Sequence, residues 1–183
     1  MYIEDEAVIT VLQGQSHVSG RHGDVISTIL GSCIATCICD PVAGVGGMNH
    51  FLLPGSPEDR DTGLQYGVNA MEILINALMR AGARKERMQA KIFGGARMFT
   101  SRANIGEKNA EFATWFLKSE GIECIGGSIG GEQGRKLRYV PVTGQARQMF
   151  LEQSRLNVVE DPLSATFETP RRRRTDPGQV DLF

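Results

Sequence analysis

Cys33 and His50 are the two residues of this chain whose chemistry can be joined into one reaction. Cys33 closes the bend Leu30-Gly31-Ser32-Cys33 and opens an apolar run that ends at Asp40-Pro41, while His50 ends the next run, Met48-Asn49-His50. A thiol is a poor nucleophile until a base takes its proton, and imidazole is the side chain suited to that near neutral pH. Ser27 and Thr28 place two hydroxyls shortly ahead of the same bend, so a third group that could hold the imidazole is within reach. Gly31 and Gly46-Gly47 leave backbone open beside both residues. Taken alone, one cysteine and one histidine in neighbouring runs are weak evidence, because both residue types are common in ordinary cores.

A metal site is the rival chemistry. Cys37 and Cys39 share the strand parity of Cys33, so three thiols could line one face. The spacing lacks the paired Cys-x-x-Cys pattern of structural zinc sites, and no set of histidines accompanies it, so no metal is expected. Cys37, Cys39 and Cys124 read as small core residues, left as free thiols in a reducing compartment. His17 and His22 fall in a Gly/Ser-rich stretch and read as exposed, with one of them able to approach the site if that stretch folds over it.

The elements that must position Cys33 and His50 follow from periodicity. Residues 7–12 read as a strand, a polar segment 13–24 leads to Val25-Ile26 and the Cys33 strand, and residues 45–53 form a second strand interrupted at Gly46-Gly47. The two runs make a hairpin turning at residues 40–44, so His50 and Cys33 can face each other. Residues 66–81 carry Met71, Leu74, Ile75 and Leu78 at helical spacing and stop at Gly82; residues 106–120 repeat the pattern with Ala110, Ala113 and Phe116. Residues 90–93, 122–127, 137–142 and 146–151 read as short strands, the last two joined by a turn at Thr143-Gly144-Gln145. The pattern is α+β or mixed α/β.

At 183 residues the chain suits one domain, here 1–160. A net charge of −1 gives no reason to expect nucleic acid or a membrane as partner. No apolar run is long enough to span a bilayer, and the acidic start Met1-Tyr2-Ile3-Glu4-Asp5-Glu6 differs from a signal peptide, so a cytoplasmic location is expected. Residues 161–183 hold Asp161-Pro162, Thr169-Pro170, Arg171 to Arg174 and Asp176-Pro177-Gly178 and read as a disordered tail. Four arginines in such a tail are read as solvated, although they could attract an anionic surface. The tip Gln179-Val180-Asp181-Leu182-Phe183 is apolar enough to dock as a short peptide, and it looks like the Gln-x-x-Leu-Phe peptides that bind the bacterial sliding clamp.

Between Ala7 and Leu151 a series of motifs falls in one order: Leu30-Gly31-Ser32-Cys33, Asp40-Pro41, Gly46-Gly47-Met48-Asn49-His50, Leu53-Pro54, Lys91-Ile92-Phe93-Gly94-Gly95-Ala96, Met98-Phe99, Asn104-Ile105-Gly106, Asn109, Gly130-Gly131 and Arg135. In these the chain resembles the chemoreceptor glutamine deamidases of bacterial chemotaxis, the CheD family. The resemblance implies Cys33 as nucleophile, His50 as general base and a hydroxyl a few residues ahead of the cysteine as the third member. Counting back without a gap selects Ser27, whereas residue type selects Thr28; adjacent strand residues face opposite ways, so only one can serve. Ser27 is the preferred assignment here and Thr28 the alternative.

The reaction implied is hydrolysis of a glutamine side-chain amide. The Cys33 thiolate attacks, ammonia leaves with a proton from His50, and water activated by His50 cleaves the thioester to leave glutamate. The Cys33 N–H and a neighbouring loop amide are expected to meet the oxyanion. Gly94, Gly95 and Gly131 would let a substrate helix come close, or else make tight turns for folding. No metal or organic cofactor is required. The resemblance further implies methyl-accepting chemotaxis receptors as substrate through their cytoplasmic helical bundle, a chemotaxis phosphatase of the CheC type as a partner of some members, and a layered α/β sandwich with a mixed, mainly antiparallel sheet and two principal helices. Two other readings stand beside it. One is an adaptor that binds receptors or the phosphatase without catalysis; the other is a different cysteine hydrolase, such as a toxin-like deamidase or a small peptidase. Inhibition by a thiol alkylator separates enzyme from adaptor, and the substrate separates the two kinds of enzyme.

Overall fold

Side-chain alternation decides how this chain divides into layers, because each strand must sort its residues between two faces. The computed structural model describes residues 6–53, 60–98, 104–152 and 180–183. The strands are β1 (Ala7–Thr10), β2 (Ser16–Ser19), β3 (Asp24–Leu30), β4 (Ile34–Asp40), β5 (Val45–Phe51), β6 (Gln89–Gly94), β7 (Glu123–Ile129), β8 (Arg135–Val140), β9 (Gln145–Phe150) and β10 (Val180–Leu182), with helices α1 (Arg60–Arg80) and α2 (Ile105–Ser119). Where one mixed sheet was expected there are two, each five-stranded: β1-β3-β8-β9-β10 and β2-β5-β4-β6-β7. Both are mixed and mainly antiparallel, with one parallel pair apiece, β1–β3 and β6–β7.

Every residue of β4 and β5 is buried, which makes the second sheet the middle layer. On β4, Ile34 and Ile38 join the core shared with Met71, Leu74, Leu78 and Phe116 of the helices, while Ala35 and Cys37 join Ile26, Leu30, Leu137 and Tyr139 of the other sheet. The order of layers is therefore sheet, sheet, helices. Two connections carry the chain from the first sheet to the middle one: residues 11–15 between β1 and β2, and residues 31–33 between β3 and β4. Cys33 stands on the second crossover, immediately before β4, and this is why it reaches the seam between the sheets.

Several expectations shift with packing. The Gly46-Gly47 interruption does not occur; β5 runs unbroken from Val45 to Phe51 in antiparallel register with β4. Helix α1 begins six residues earlier than its apolar spacing indicates, at Arg60. Gly67 weakens the local helical signal, yet a Cβ there would stand 2.7 Å from the Phe112 ring, so glycine lets α1 and α2 meet closely. Asp40 anchors the hairpin turn, accepting from the N–H groups of Val42 and Ala43 at 3.0 Å, from Arg84 N–H at 2.8 Å and from Arg87 Nη2 at 2.7 Å.

The expected tail 161–183 falls outside the described residues as far as 179, including Arg171 to Arg174. Its last residues depart from the expected disorder. β10 adds to the β9 edge, Phe183 N–H donates to Ala146 O at 2.9 Å, and the Phe183 ring meets Phe93 edge-on at 5.5 Å. Burial of one aromatic ring together with ladder hydrogen bonds is sufficient to hold a short strand on an open edge. Among the described residues no helix is long and apolar enough to cross a membrane.

Candidate active site

His50 faces the seam between the sheets, on the same side of β5 as Met48. It lies opposite Ala35 of β4, and Cys33 stands two residues before Ala35, on the bend that leads into that strand. Cys33 is partly buried against the inter-sheet core, and its Sγ lies 3.5 Å from Gln13 Oε1.

Of the two candidate hydroxyls, it is that of Thr28 and not the preferred Ser27 that lies at His50. Thr28 Oγ1 stands 2.8 Å from His50 Nδ1, whereas Ser27 donates its hydroxyl to Leu137 O at 3.0 Å along the β3–β8 ladder. Counting back from Cys33 fails because the bend at residues 31–33 breaks the strand's phase. The faces of β3 are set by Ile26 and Leu30, which enter the inter-sheet core with Thr28 between them.

The proton on His50 can be located by elimination. Thr28 Oγ1 also lies 2.7 Å from Val11 O, a carbonyl that can only accept. A hydroxyl has one proton; given to Val11, it leaves the threonine oxygen to accept from Nδ1–H. Nε2 is then unprotonated, and it is buried without a hydrogen-bond partner among the described residues. Burial pushes the His50 pKa below its usual value, partly opposed by the Val11 carbonyl, so the ring is neutral near pH 7. A neutral imidazole with Nδ1–H anchored and Nε2 open is the form a general base requires.

The Cys33 turn is fixed from the helix side by Asn109 of α2. This buried residue donates Nδ2–H to Ser32 O at 2.9 Å and accepts from Leu53 N–H at 2.9 Å. Gly94, at the end of β6, has φ +110°, and a Cβ there would lie 2.1 Å from Cys33 O, so its bare backbone serves packing against the turn. Gly95 and Gly131 do line a cleft, of about 350 Å³, together with Arg97, Asn104, Glu107 and Ile129. Arg135, buried beneath this rim, donates to Ser128 O at 2.6 Å and to Gly130 O and holds the loop that carries Gly131.

A CheD family model, described as "CheD chemotactic sensory transduction", matches residues 52–149. Relatives called "Probable chemoreceptor glutamine deamidase CheD" are 55% identical over 143 residues in Rhizobium johnstonii, covering 76% of this chain and 78% of that protein. The same name is carried by relatives in Rhizobium meliloti, 54% identical over 78% of this chain and 80% of that one, and in Cereibacter sphaeroides, 52% identical over 79% and 73%. The chain belongs to the CheD family. Among solved structures, Neisseria meningitidis protein NMB0706 matches 68% of this chain and 62% of its own at 14% identity and a TM-score of 0.42.

The CheD family match begins just past His50, so the placement of Cys33, His50 and Thr28 in this member rests on its own geometry. Its other cysteines divide in two. Cys37 and Cys39 are buried as expected, and burial raises both thiol pKa values, which keeps them protonated and inert. Cys124 corrects the expectation of a core residue: it is exposed on β7, an edge strand with one neighbour. His17 lies half-buried on β2 opposite Met48, and His22 is exposed in the turn before β3.

The sequence reading assigned no role to Val11, Gln13 or Asn109. A buried carbonyl such as that of Val11 leaves no mark in residue type. Asn109 stood among the matching motifs with nothing to say what it held. Gln13-Gly14-Gln15 was visible as a short polar interruption after the first strand, and only the crossover of the chain turns it toward the thiol.

Proposed function

We propose that this chain hydrolyses the side-chain amide of specific glutamines to glutamate, with Cys33 as nucleophile, His50 as general base and Thr28 as the residue that orients His50. The observation that carries the reading is the relay Val11 O, Thr28 Oγ1, His50 Nδ1, which leaves Nε2, buried and without a hydrogen-bond partner among the described residues, as the ring's other nitrogen. His50 Nε2 takes the Cys33 proton, and Sγ adds to the amide carbon of the substrate. The protonated imidazole returns its proton to the departing nitrogen, ammonia leaves, and a thioester remains. Water, deprotonated by the same Nε2, adds to the thioester and expels the thiolate. The product is a glutamate, and no atom of the protein is consumed.

The name shared by the relatives supports chemoreceptor glutamines as the substrate class; on the family resemblance, the proposed targets lie on the cytoplasmic helical bundle of methyl-accepting chemotaxis receptors, with a cytoplasmic location and a role in adaptation. The cleft beside Gly95 and Gly131 offers a surface on which a helix can rest while one side chain reaches the thiol. A phosphatase of the CheC type is a second proposed partner, on the family resemblance alone.

The test is ammonia release with intact-mass analysis on a purified receptor cytoplasmic fragment. Wild type is expected to add about one mass unit per converted glutamine, as amide becomes acid, and Cys33→Ala to add none. Binding of the fragment by both proteins with no mass change would favour the adaptor reading and sink the mechanism for that substrate.

A further inference from the structure

Addition of Sγ to an amide turns the carbonyl oxygen into an anion that must be met by hydrogen-bond donors. The loop that follows β6 is the natural place to seek them, but the amides of its first three residues are committed. Gly95 N–H donates to Cys33 O at 2.8 Å, Ala96 N–H to Gly31 O at 2.9 Å and Arg97 N–H to Gly131 O at 2.8 Å. One N–H of the Asn109 side-chain amide is likewise given to Ser32 O. These four groups are thus engaged, and another side chain stands at the thiol.

Gln13 is the side-chain amide that lies at the thiol, with Oε1 3.5 Å from Sγ. Its backbone is fastened on both sides to the proposed machinery. Gly14 N–H donates to His50 O at 2.7 Å, His50 N–H donates to Gln15 O at 3.0 Å, and Val11 N–H donates to Ser27 O at 2.9 Å. The Val11 carbonyl is the acceptor of the Thr28 hydroxyl. Gln13 therefore stands on a turn whose position is tied to the base and to the residue that orients it, while its side chain is exposed and can turn.

In the resting protein the thiol donates to Oε1, so sulfur lies beside the amide oxygen and not over its carbon, and Gln13 is not itself attacked. Once the thiol proton has gone to His50, thiolate and oxyanion can only accept. Rotation about the terminal torsion of Gln13 then brings Nε2–H where Oε1 had been, at the distance from sulfur that an oxyanion donor needs. We propose that Gln13 is a further catalytic residue, the side-chain donor that stabilises the oxyanion formed at Cys33. The inference rests on the deamidase reading above; no bond at Gln13 is made or broken.

Purified full-length protein and the receptor fragment supply the test, with Gln13→Ala and the near-isosteric Gln13→Glu compared with wild type. Loss of one oxyanion donor lowers kcat by roughly 100- to 1,000-fold, and the same is expected for both variants with KM changed by no more than about twofold. Alkylation of Cys33 by iodoacetamide, which forms no oxyanion, is expected to keep its wild-type rate in Gln13→Ala, the variant that places no charge beside the thiol. Ammonia release by Gln13→Ala at the wild-type rate would overturn the inference alone. So would a parallel fall in alkylation and kcat, which marks Gln13 as a support of the Cys–His pair. Absence of ammonia release by wild type would overturn the deamidase reading, and this inference with it.

Discussion

A hydroxyl carries one proton, and at Thr28 that fact decides the tautomer of the proposed base. Because Val11 O takes the proton at 2.7 Å, the threonine oxygen receives Nδ1–H, and the ring offers Nε2. Thr28→Val keeps the shape and removes the threonine oxygen that accepts from Nδ1–H. Its kcat is expected to fall roughly 10- to 100-fold with KM nearly constant, whereas Ser27→Ala, which loses one bond to Leu137 O, is expected to keep wild-type kcat. In the same assay the acid limb of kcat/KM for wild type should have its midpoint below 6.5, since burial lowers the His50 pKa and the ring stays neutral further into acid. An unchanged rate in Thr28→Val, or a limb above 6.5, would refute this account of the base.

At the scale of elements, the β4–β5 hairpin must hold its register, because a slip of one residue would turn His50 to the helix side. Asp40 pins the turn. Burial by itself would raise its pKa, but the N–H of Arg84, the guanidinium of Arg87 and the N–H groups of Ala43 and Val42 outweigh it and lower the value from 3.8 to about 2. The carboxylate binds protons less readily in the folded chain than in the unfolded one. Its contribution, about 2 kcal/mol, is therefore complete above pH 3.8 and lost as pH falls through about 2. Asp40→Asn is expected to lower unfolding free energy by about 2–3 kcal/mol at pH 7, and the gap should shrink below pH 3.8 and close as pH falls through about 2. A gap that is the same at both pH values would show that shape, and not charge, holds the turn. α2 has the matching duty for the cysteine: Asn109 joins the Ser32 carbonyl to the Leu53 amide, so the crossover and the end of β5 share one support.

Across the whole molecule, the seam between the sheets carries both the proposed chemistry and the closure of the far edge. Phe93, paired with Ala35 on the middle sheet, receives the Phe183 ring, and Ala146 exchanges two backbone hydrogen bonds with Phe183. The C-terminal strand is thus an edge cover for β9, and the tip that reads as a clamp-binding peptide is engaged with its own chain. Phe183→Ala should reduce stability by about 1–2 kcal/mol in denaturant unfolding and speed amide exchange at Ala146. If exchange at Ala146 is unaltered, β10 does not hold that edge.

Much of this was written in residue types. The hairpin joining the strands of Cys33 and His50, both helices and the strands after residue 89 follow from local spacing, because each depends on neighbours a few positions away, while the roles proposed for Cys33 and His50 are what the family resemblance implies. What spacing cannot carry is which sheet a strand joins. The bend at Gly31-Ser32-Cys33 reads the same whether it closes a hairpin or crosses a seam, and only packing of β3 against β8 and of β4 against β5 chooses the crossing. With that choice Thr28 turns toward His50 and Ser27 toward Leu137, Gln13 comes to the thiol from a separate loop, and Cys124 is left on an exposed edge. Residue types name the groups that could react, and strand pairing selects which of two adjacent hydroxyls meets the imidazole. The facing of a strand is a property of its partners, and those partners lie more than a hundred residues along the chain, as Ser27 and Leu137 do.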